Sequence, residues 1–575
     1  MSGSHSPEVV WCQGAELGRA DHATVYPNTP VSAMAPWRNH AGNHDDAIGC
    51  GPGLARRGSS FGTQPAPGAP AGWFGSGERG PGARFSLSRA GRAATTARNM
   101  ARPPTDRESA FRLLPAMDEC LRDPRAASVL GRAPRALVQE LAARELAAWR
   151  EEIKSGALDA GALERRLAAG ELFTRLDARV ARELGRGVLR AVNASGVVLN
   201  TGLGRAPVHP EVAEAMRVAA ESYCVLEVDR WSGERNQRDD YLSDLARRLT
   251  GAEAAIGVNN NAGAVLLLFS TFAQGKSAIV SRGELVEIGG SFRVPSVMER
   301  AGAELVEVGT TNRTRIADYA NAIDARTGLL IKVHTSNFRV VGFTEEVGAA
   351  ELARLGRERG VTTAFDLGSG LWEGAGAPPI AHLLGGEPLL RDAVESGVDV
   401  VTFSGDKLLG APQAGLLVGR RATIAALRKN PLYRALRLDK VALAGLEKTF
   451  ELLLAGRGGE LPARAMLAAT ADELRPRAEA LQRALAPFEG LASELVEDGS
   501  QPGSGSAPGV LLPTWVVRVR SRKLSAGALS ARLRAAPVPV FARVQDDAVL
   551  LDPRTLLPGD LERLVDGFRA ALAGS

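Results

Sequence analysis

The sequence predicts an α/β protein built on a mostly parallel, seven-stranded sheet, with a small helical domain before it and a small α+β domain after it. Three observations carry that expectation. From about residue 191 to 425, short apolar or β-branched runs alternate with amphipathic helical stretches, the pattern of a parallel sheet covered by helices on both faces. Before this region the apolar spacing is helical only. After it, a helical connection leads into a second, shorter set of strands and helices.

In chain order, residues 1–105 are rich in Gly, Pro, Ser and Arg, as in Gly51-Pro-Gly-Leu-Ala-Arg-Arg-Gly58 and Pro65-Ala-Pro-Gly-Ala-Pro70. Such a segment buries too little apolar surface to offset its chain entropy and is expected to be disordered. The alternative is that Met100, just ahead of the first periodic sequence, is the true start. Over 108–190, Leu146, Trp149 and Ile153 recur at helical spacing, as do Leu172, Phe173, Leu176, Val180 and Leu184, with Arg and Glu between them. This reads as a basic helical domain, for which a plain packing or dimerisation role is the ordinary interpretation.

Over 191–425 the predicted strands are Ala255–Val258, Ser277–Val280, Leu305–Val308, Leu329–Val333, Thr362–Asp366, Val398–Phe403 and Leu416–Val418. In such sheets ligands bind at the carboxyl ends of the strands. Residues 426–575 read as a helical linker to about 490, a Gly/Ser/Pro loop at Ser500–Gly509, and a small α+β domain. Its strands are expected at Trp515–Val519, Val538–Val544 and Val549–Asp552, and its helices near 524–535 and 559–573.

Composition narrows the class. The chain has 575 residues, 45% of them apolar, and Lys+Arg 70 against Asp+Glu 65 gives a net charge of only +5. That permits a nucleic-acid partner without demanding one. Cys12, Cys50, Cys120 and Cys224 lack disulfide or metal-ligand spacing, and the seven His are dispersed, so no metal site is expected and a reducing cytoplasm fits. No apolar run reaches the roughly 18 residues of a membrane span, and Met1-Ser-Gly-Ser-His-Ser-Pro7 lacks the basic start and apolar core of a signal peptide.

The chemistry is concentrated at strand ends. The run Val398–Phe403 ends in Ser404-Gly-Asp-Lys-Leu-Leu-Gly-Ala-Pro-Gln-Ala-Gly415. A lysine at the mouth of a parallel sheet can lose its proton and form a Schiff base, the way pyridoxal phosphate (PLP) is anchored. Lys407 is the candidate, with Asp406 beside it to orient it or tune its protonation. Asp366, at the end of the strand before, is the candidate carboxylate for the pyridine nitrogen. Val258-Asn-Asn-Asn-Ala-Gly-Ala264 closes a strand and opens a helix, a cradle for a phosphate at a helix N-terminus approached closely through Gly263. Asn260, Asn261 and Ala262 are its expected contacts, with a hydroxyl added by Ser404. His334 stands at another strand end, placed to shuttle protons or pack near the cofactor.

Arg205, in Asn200-Thr-Gly-Leu-Gly-Arg205, and Arg434 and Arg437, in Asn430-Pro-Leu-Tyr-Arg-Ala-Leu-Arg437, form a second group. Spaced three apart, Arg434 and Arg437 project from one face of a helix and suit an oxyanion such as a phosphate. Singly, each candidate has an ordinary reading: a solvated lysine, a turn aspartate, an Asn-capped helix, a structural histidine, a solvated basic face.

In this order, Val192-Asn-Ala-Ser-Gly-Val-Val198, Val258-Asn-Asn-Asn-Ala262, Ser281-Arg-Gly-Glu-Leu-Val-Glu-Ile-Gly-Gly290, Val308-Gly-Thr-Thr-Asn-Arg-Thr314, Lys332-Val-His-Thr-Ser-Asn-Phe338, Asp366-Leu-Gly-Ser-Gly370 and the Lys407 loop resemble bacterial selenocysteine synthase, the L-seryl-tRNA(Sec) selenium transferases. The resemblance runs from about 110 to 570. It implies a PLP-dependent transferase fold of type I, aspartate-aminotransferase-like, with Lys407 as the imine lysine. It also implies conversion of seryl-tRNA(Sec) to selenocysteinyl-tRNA(Sec) through a PLP-bound aminoacrylyl intermediate and selenophosphate. Arg205, Arg434 and Arg437 become the phosphate-binding set, the helical domain of 108–190 the reader of the tRNA, and the assembly a ring of dimers, a decamer.

Two departures stand out: Gly202 replaces the family's usual Asn in its Thr-Asn-Leu-Gly-Arg motif, and residues 1–105 match nothing in it. The rival readings are a related PLP ammonia-lyase or β-eliminating enzyme acting on a free amino acid or amino sugar acid, and a nucleic-acid-binding scaffold on an inactive enzyme fold.

Overall fold

Capping and apolar spacing set the first folded unit. The computed structural model describes residues 9–11, 105–288, 292–503 and 505–573. Thr105 opens the helix Asp106–Leu113 with a capping box to Glu108. The long helix Arg135–Ser155 stops where Gly156 turns left-handed at φ 81°. With Ala160–Ala168 and Glu171–Leu184 it forms a helical unit whose described part ends at Gly187. Most of the predicted stripe is its core: Trp149, fully buried, packs with Leu146, Ile153, Leu163 and Leu172, with Phe173 partly buried against them, while Leu176 and Val180 join Val138 and Leu141 in an adjoining cluster; Leu184, at the helix end, is 43% exposed instead. Of the expected disordered extension only the backbone of Val9–Trp11 is described, as a strand antiparallel to Phe338–Val340. The rest of it, Met100 included, lies outside the described residues.

The second unit runs from Val188 onward. All seven predicted strands are present in one sheet, in the order Ala254–Val258, Gly415–Gly419, Val400–Ser404, Thr362–Gly368, Thr327–Val333, Ser277–Ser281, Glu304–Val308. Gly415–Gly419 is antiparallel to both neighbours, and the other pairings are parallel.

Strand periodicity decides which residues face which helices. Phe365, Leu367, Val401 and Phe403 pack on one side with helices Asp240–Thr250 and Lys440–Leu454. Ala364 and Val400 pack on the other with helices Asn261–Phe272 and Arg421–Lys429. Asp366, Thr402 and Ser404 share the parity of this second side, so they point toward the N-terminus of Asn261–Phe272.

A second sheet follows the order Val192–Ala194, Val540–Gln545, Ala548–Leu551, Leu512–Ser521, Leu491–Gly503, Val197–Leu199. Helices Ala471–Leu485, Ala526–Arg534 and Asp560–Leu572 bury its core. Two features differ from the sequence expectation. The strands just after 191 belong to this sheet, Val192 pairing in parallel with Val540 and Val197 with Gln501. Three-residue strands carry no periodicity of their own, and their partners lie some 300 residues away in sequence. In addition, the predicted loop from Ser500 begins inside a strand of 13 residues, because Ser500 pairs with Leu512 and Gln501 with Val197.

This sheet is locked by Arg554, fully buried: Nε donates to Ser500 Oγ (2.9 Å), one terminal nitrogen to the carbonyls of Met466 (2.7 Å) and Ala469 (2.8 Å), and the other to that of Pro513 (2.6 Å). Burial depresses its pKa to about 10, which leaves it charged at neutral pH. Arg554→Met keeps the stem but strips every donor, leaving buried acceptors unpaired at about 1–3 kcal/mol each. We expect urea unfolding to show a loss above about 3 kcal/mol; a loss below about 1 kcal/mol would contradict the lock. Among the described residues no helix is long and apolar enough to cross a membrane.

Candidate active site

The five residues of Val400–Ser404 are all buried, and the strand delivers its chain into a tight loop. Gly405 donates to Ala414 O at 2.9 Å, and a Cβ at Gly405 would stand 2.5 Å from Pro412 O, so only glycine lets the loop close. Lys407 is thereby carried inward and is 5% exposed. Its amine makes no hydrogen bond among the described residues. Burial, and next the Arg205 charge, push its pKa below the ordinary lysine range against the opposing pull of Asp366, Asp406 and Glu387.

Asp366 is buried in the adjacent strand. Its Oδ1 accepts from Asn261 Nδ2 and from Thr402 Oγ1, both at 2.8 Å. The second carboxylate oxygen is engaged by neither. Burial raises its pKa, opposed by those two donors and by Lys407 and His334.

The cradle lies at the start of the helix Asn261–Phe272. Asn260 is the N-cap of Asn261–Phe272, its Oδ1 taking the Gly263 N–H at 2.9 Å, and Asn261 is turned to Asp366. The Asn261 carboxamide nitrogen is thus committed to Asp366, and the Asn260 carboxamide is held through its oxygen. The N–H groups of Asn261 and Ala262, as the first two of a helix, have no acceptor among the described residues. A Cβ at Gly415 would lie 2.2 Å from Asn260 O, so the neighbouring strand can approach the turn only as glycine, whereas one at Gly263 would meet Leu436 at 3.4 Å and Asn260 Oδ1 at 3.5 Å. Ser404, buried, ends its strand at the same rim.

His334 follows the strand Thr327–Val333. Its backbone N–H goes to Asp366 O at 2.9 Å and its Nε2 lies 3.1 Å from Glu387 Oε1. Arg205 takes φ 63°, strained for a non-glycine, and its N–H is held by Asn200 O at 2.9 Å. One terminal nitrogen pairs with Asp406 Oδ2 at 2.9 Å, while Nε is buried with no acceptor among the described residues. At Gly202, a Cβ would meet nothing nearer than Asn200 Oδ1, at 3.4 Å, so the backbone does not require glycine there.

Arg434 and Arg437 do not share a helix face. The helix Pro431–Leu436 ends before Arg437, which is extended at φ −62°, ψ 148°. Arg434 is exposed. Arg437 instead lies along the cradle, bridging to Val258, with Asn259 N donating to Leu436 O at 2.9 Å. Its side chain is 3.4 Å from Glu227. Tyr433 and Arg428 fix this segment by converging on the buried Asp239 at 2.6 and 2.8 Å. The arrangement thus gathers an amine of lowered basicity, a buried carboxylate, two helix N–H groups free among the described residues and an arginine at the carboxyl ends of interior strands.

The family model described as L-seryl-tRNA selenium transferase matches residues 191–557, and that of the selenocysteine synthase N terminal matches 111–150. The L-seryl-tRNA(Sec) selenium transferase of Moorella thermoacetica is 48% identical over 81% of this chain and 97% of its own length. That of Desulfomicrobium baculatum is 45% identical over 81% and 99%. Among solved structures, a D-glucosaminate-6-phosphate ammonia-lyase aligns with TM-score 0.47 at 22% identity, over 68% of this chain and 97% of its own; a likeness of that size bears on neither substrate nor reaction. With identity near half across four fifths of its length, the chain belongs to the L-seryl-tRNA selenium transferase family.

Proposed function

We propose that the chain binds pyridoxal 5'-phosphate and converts seryl-tRNA(Sec) to selenocysteinyl-tRNA(Sec), with selenophosphate as the selenium donor. The observation that carries this is Lys407: a buried amine with no hydrogen-bond partner among the described residues, set beside a buried carboxylate and the open N-terminus of a helix. The residues fit the cofactor. Lys407 would hold its aldehyde, the free oxygen of Asp366 its ring nitrogen, and the N–H groups of Asn261 and Ala262 with the Ser404 hydroxyl its phosphate. His334 would lie alongside. When bound, the cofactor supplies a sink for the charge left as the serine α-proton departs.

The protein's own groups do the rest. Lys407, freed by substrate and of depressed pKa, is neutral often enough to take that proton. Asp406 holds Arg205 against it, and Arg205, with an unspent Nε–H, offers charge-assisted donors to the phosphate of the selenium donor. Arg434 and Arg437 complete that set. Glu227, now on Arg437, would yield to the stronger anion. We assign tRNA reading to the helical unit, and a homo-oligomeric ring of dimers in the cytoplasm as the working assembly.

Reconstitution tests the lysine directly. Imine formation needs the neutral amine, which is depleted below the Lys407 pKa and abundant above it. The rate at which PLP colours the cofactor-free protein is therefore expected to rise with pH and level off below the roughly 10.4 of an ordinary lysine. In Arg205→Ala, losing the neighbouring cation raises the Lys407 pKa, and the plateau moves to higher pH. A plateau unchanged or moved downward would contradict the assignment.

A further inference from the structure

A buried carboxylate announced by no sequence motif joins three parts of this site. Glu387 follows the short turn Ala381–Leu384 and is 5% exposed. Its Oε1 meets His334 Nε2 at 3.1 Å, and its Oε2 accepts the Ala507 N–H, also at 3.1 Å. Ala507 comes from the loop that leaves the second sheet, and it adopts φ 47°. A left-handed conformation at a residue with a Cβ costs about 1 kcal/mol and persists only where surrounding contacts hold it. Two residues earlier, Gly505 rests on the reactive amine: a Cβ there would stand 2.6 Å from Lys407 Nζ and 3.0 Å from Cε.

One oxygen of Glu387 thus fastens a loop that covers Lys407, and the other holds a ring whose backbone is bonded to Asp366. An ionised carboxylate only accepts hydrogen bonds, so the shared proton sits on Nε2, which fixes the tautomer and plane of His334. Burial alone would raise the Glu387 pKa, but the His334 ring, then the Ser369 hydroxyl and the Ala507 N–H, together outweigh burial and hold it below the ordinary range.

We propose that Glu387 is a positioning residue of the reaction, setting the orientation of His334 beside Asp366 and pinning the Gly505–Pro508 loop over Lys407. Its catalytic arm rests on the PLP reading above, and its loop arm does not. Glu387→Gln keeps the shape and an acceptor for Ala507 but loses the acceptor-only character that orders His334. With the holoenzyme, seryl-tRNA(Sec) and selenophosphate, we expect this variant to retain the visible absorbance of bound PLP. It should lose about 10–100-fold in kcat, with KM for the tRNA changed less than about twofold.

Because Glu387 and His334 act as a unit, Glu387→Gln combined with His334→Ala should lose no more than the worse single variant. Losses that multiply, or a Glu387→Gln enzyme at the wild-type kcat, would overturn the proposal.

The loop arm is read on cofactor-free protein. An amine-reactive ester, followed by peptide mass spectrometry, should label Lys407 several-fold faster in Glu387→Ala than in wild type, and equal rates would overturn pinning. A wild-type protein that never acquires PLP absorbance would sink the functional reading instead, while the labelling comparison would still decide the role of Glu387.

Discussion

Lys407→Ala is expected to abolish both the covalent capture of PLP and selenium transfer while leaving the fold intact. The loss in kcat should exceed about 10³-fold, because a positioned proton-transfer group alone contributes about 10²–10⁴ and the variant loses the anchoring bond as well. The separation of chemistry from folding is a consequence of the local structure. The amine of Lys407 makes no hydrogen bond among the described residues, and the loop around it is closed by backbone bonds from Gly405 to Ala414 and from Ala411 to Gly405, both 2.9 Å. Removing a buried, unpaired amine leaves no acceptor stranded. Urea unfolding of the variant should therefore match wild type or improve on it. A variant that unfolds early would show that the lysine is structural, and one that keeps the visible spectrum would show that another residue carries the cofactor.

Asp366→Asn is expected to cost about 10²–10³-fold in kcat with PLP still attached. The carboxamide oxygen can go on accepting from Asn261 and Thr402, so the side chain stays in place, but it no longer presents a negative charge to a ring nitrogen. The same substitution acts on Lys407. Asp366 raises the pKa of that amine, so its removal lowers it further, and the pH plateau of PLP loading should move down, opposite to the shift expected for Arg205→Ala. Wild-type kcat, or a plateau that moves up, would contradict the role given to this carboxylate. Opposite shifts from two neutralising substitutions around one amine are difficult to produce by general disruption.

The central sheet was legible because each of its strands is a buried apolar run between turn residues, and such runs are local. The Lys407 loop and Asp366 were legible for the same reason: each directly follows a run. What escaped is nonlocal. Val192–Ala194 and Val197–Leu199 are strands only because Val540 and Gln501 pair with them. Helical spacing placed Arg434 and Arg437 on one face, but Asn259 captures the carbonyl of Leu436 and the chain straightens there. The helix N-terminus of the cradle is local to its Asn-rich turn, whereas the bond from the Asn261 carboxamide to Asp366 depends on a strand 105 residues away. Glu387 carries no motif. The only signal available for it was its acidic side chain directly after Gly385-Gly386 and near the next buried segment, and this has no chemical meaning until His334 and Ala507 are brought beside it.

Borohydride reduction of the PLP-loaded protein, followed by peptide mapping, tests the central claim most directly. The account predicts one stable adduct, on the peptide carrying Lys407, and none in Lys407→Ala. An adduct on a different lysine, or a loaded protein in which the Lys407 peptide stays unmodified, would contradict it.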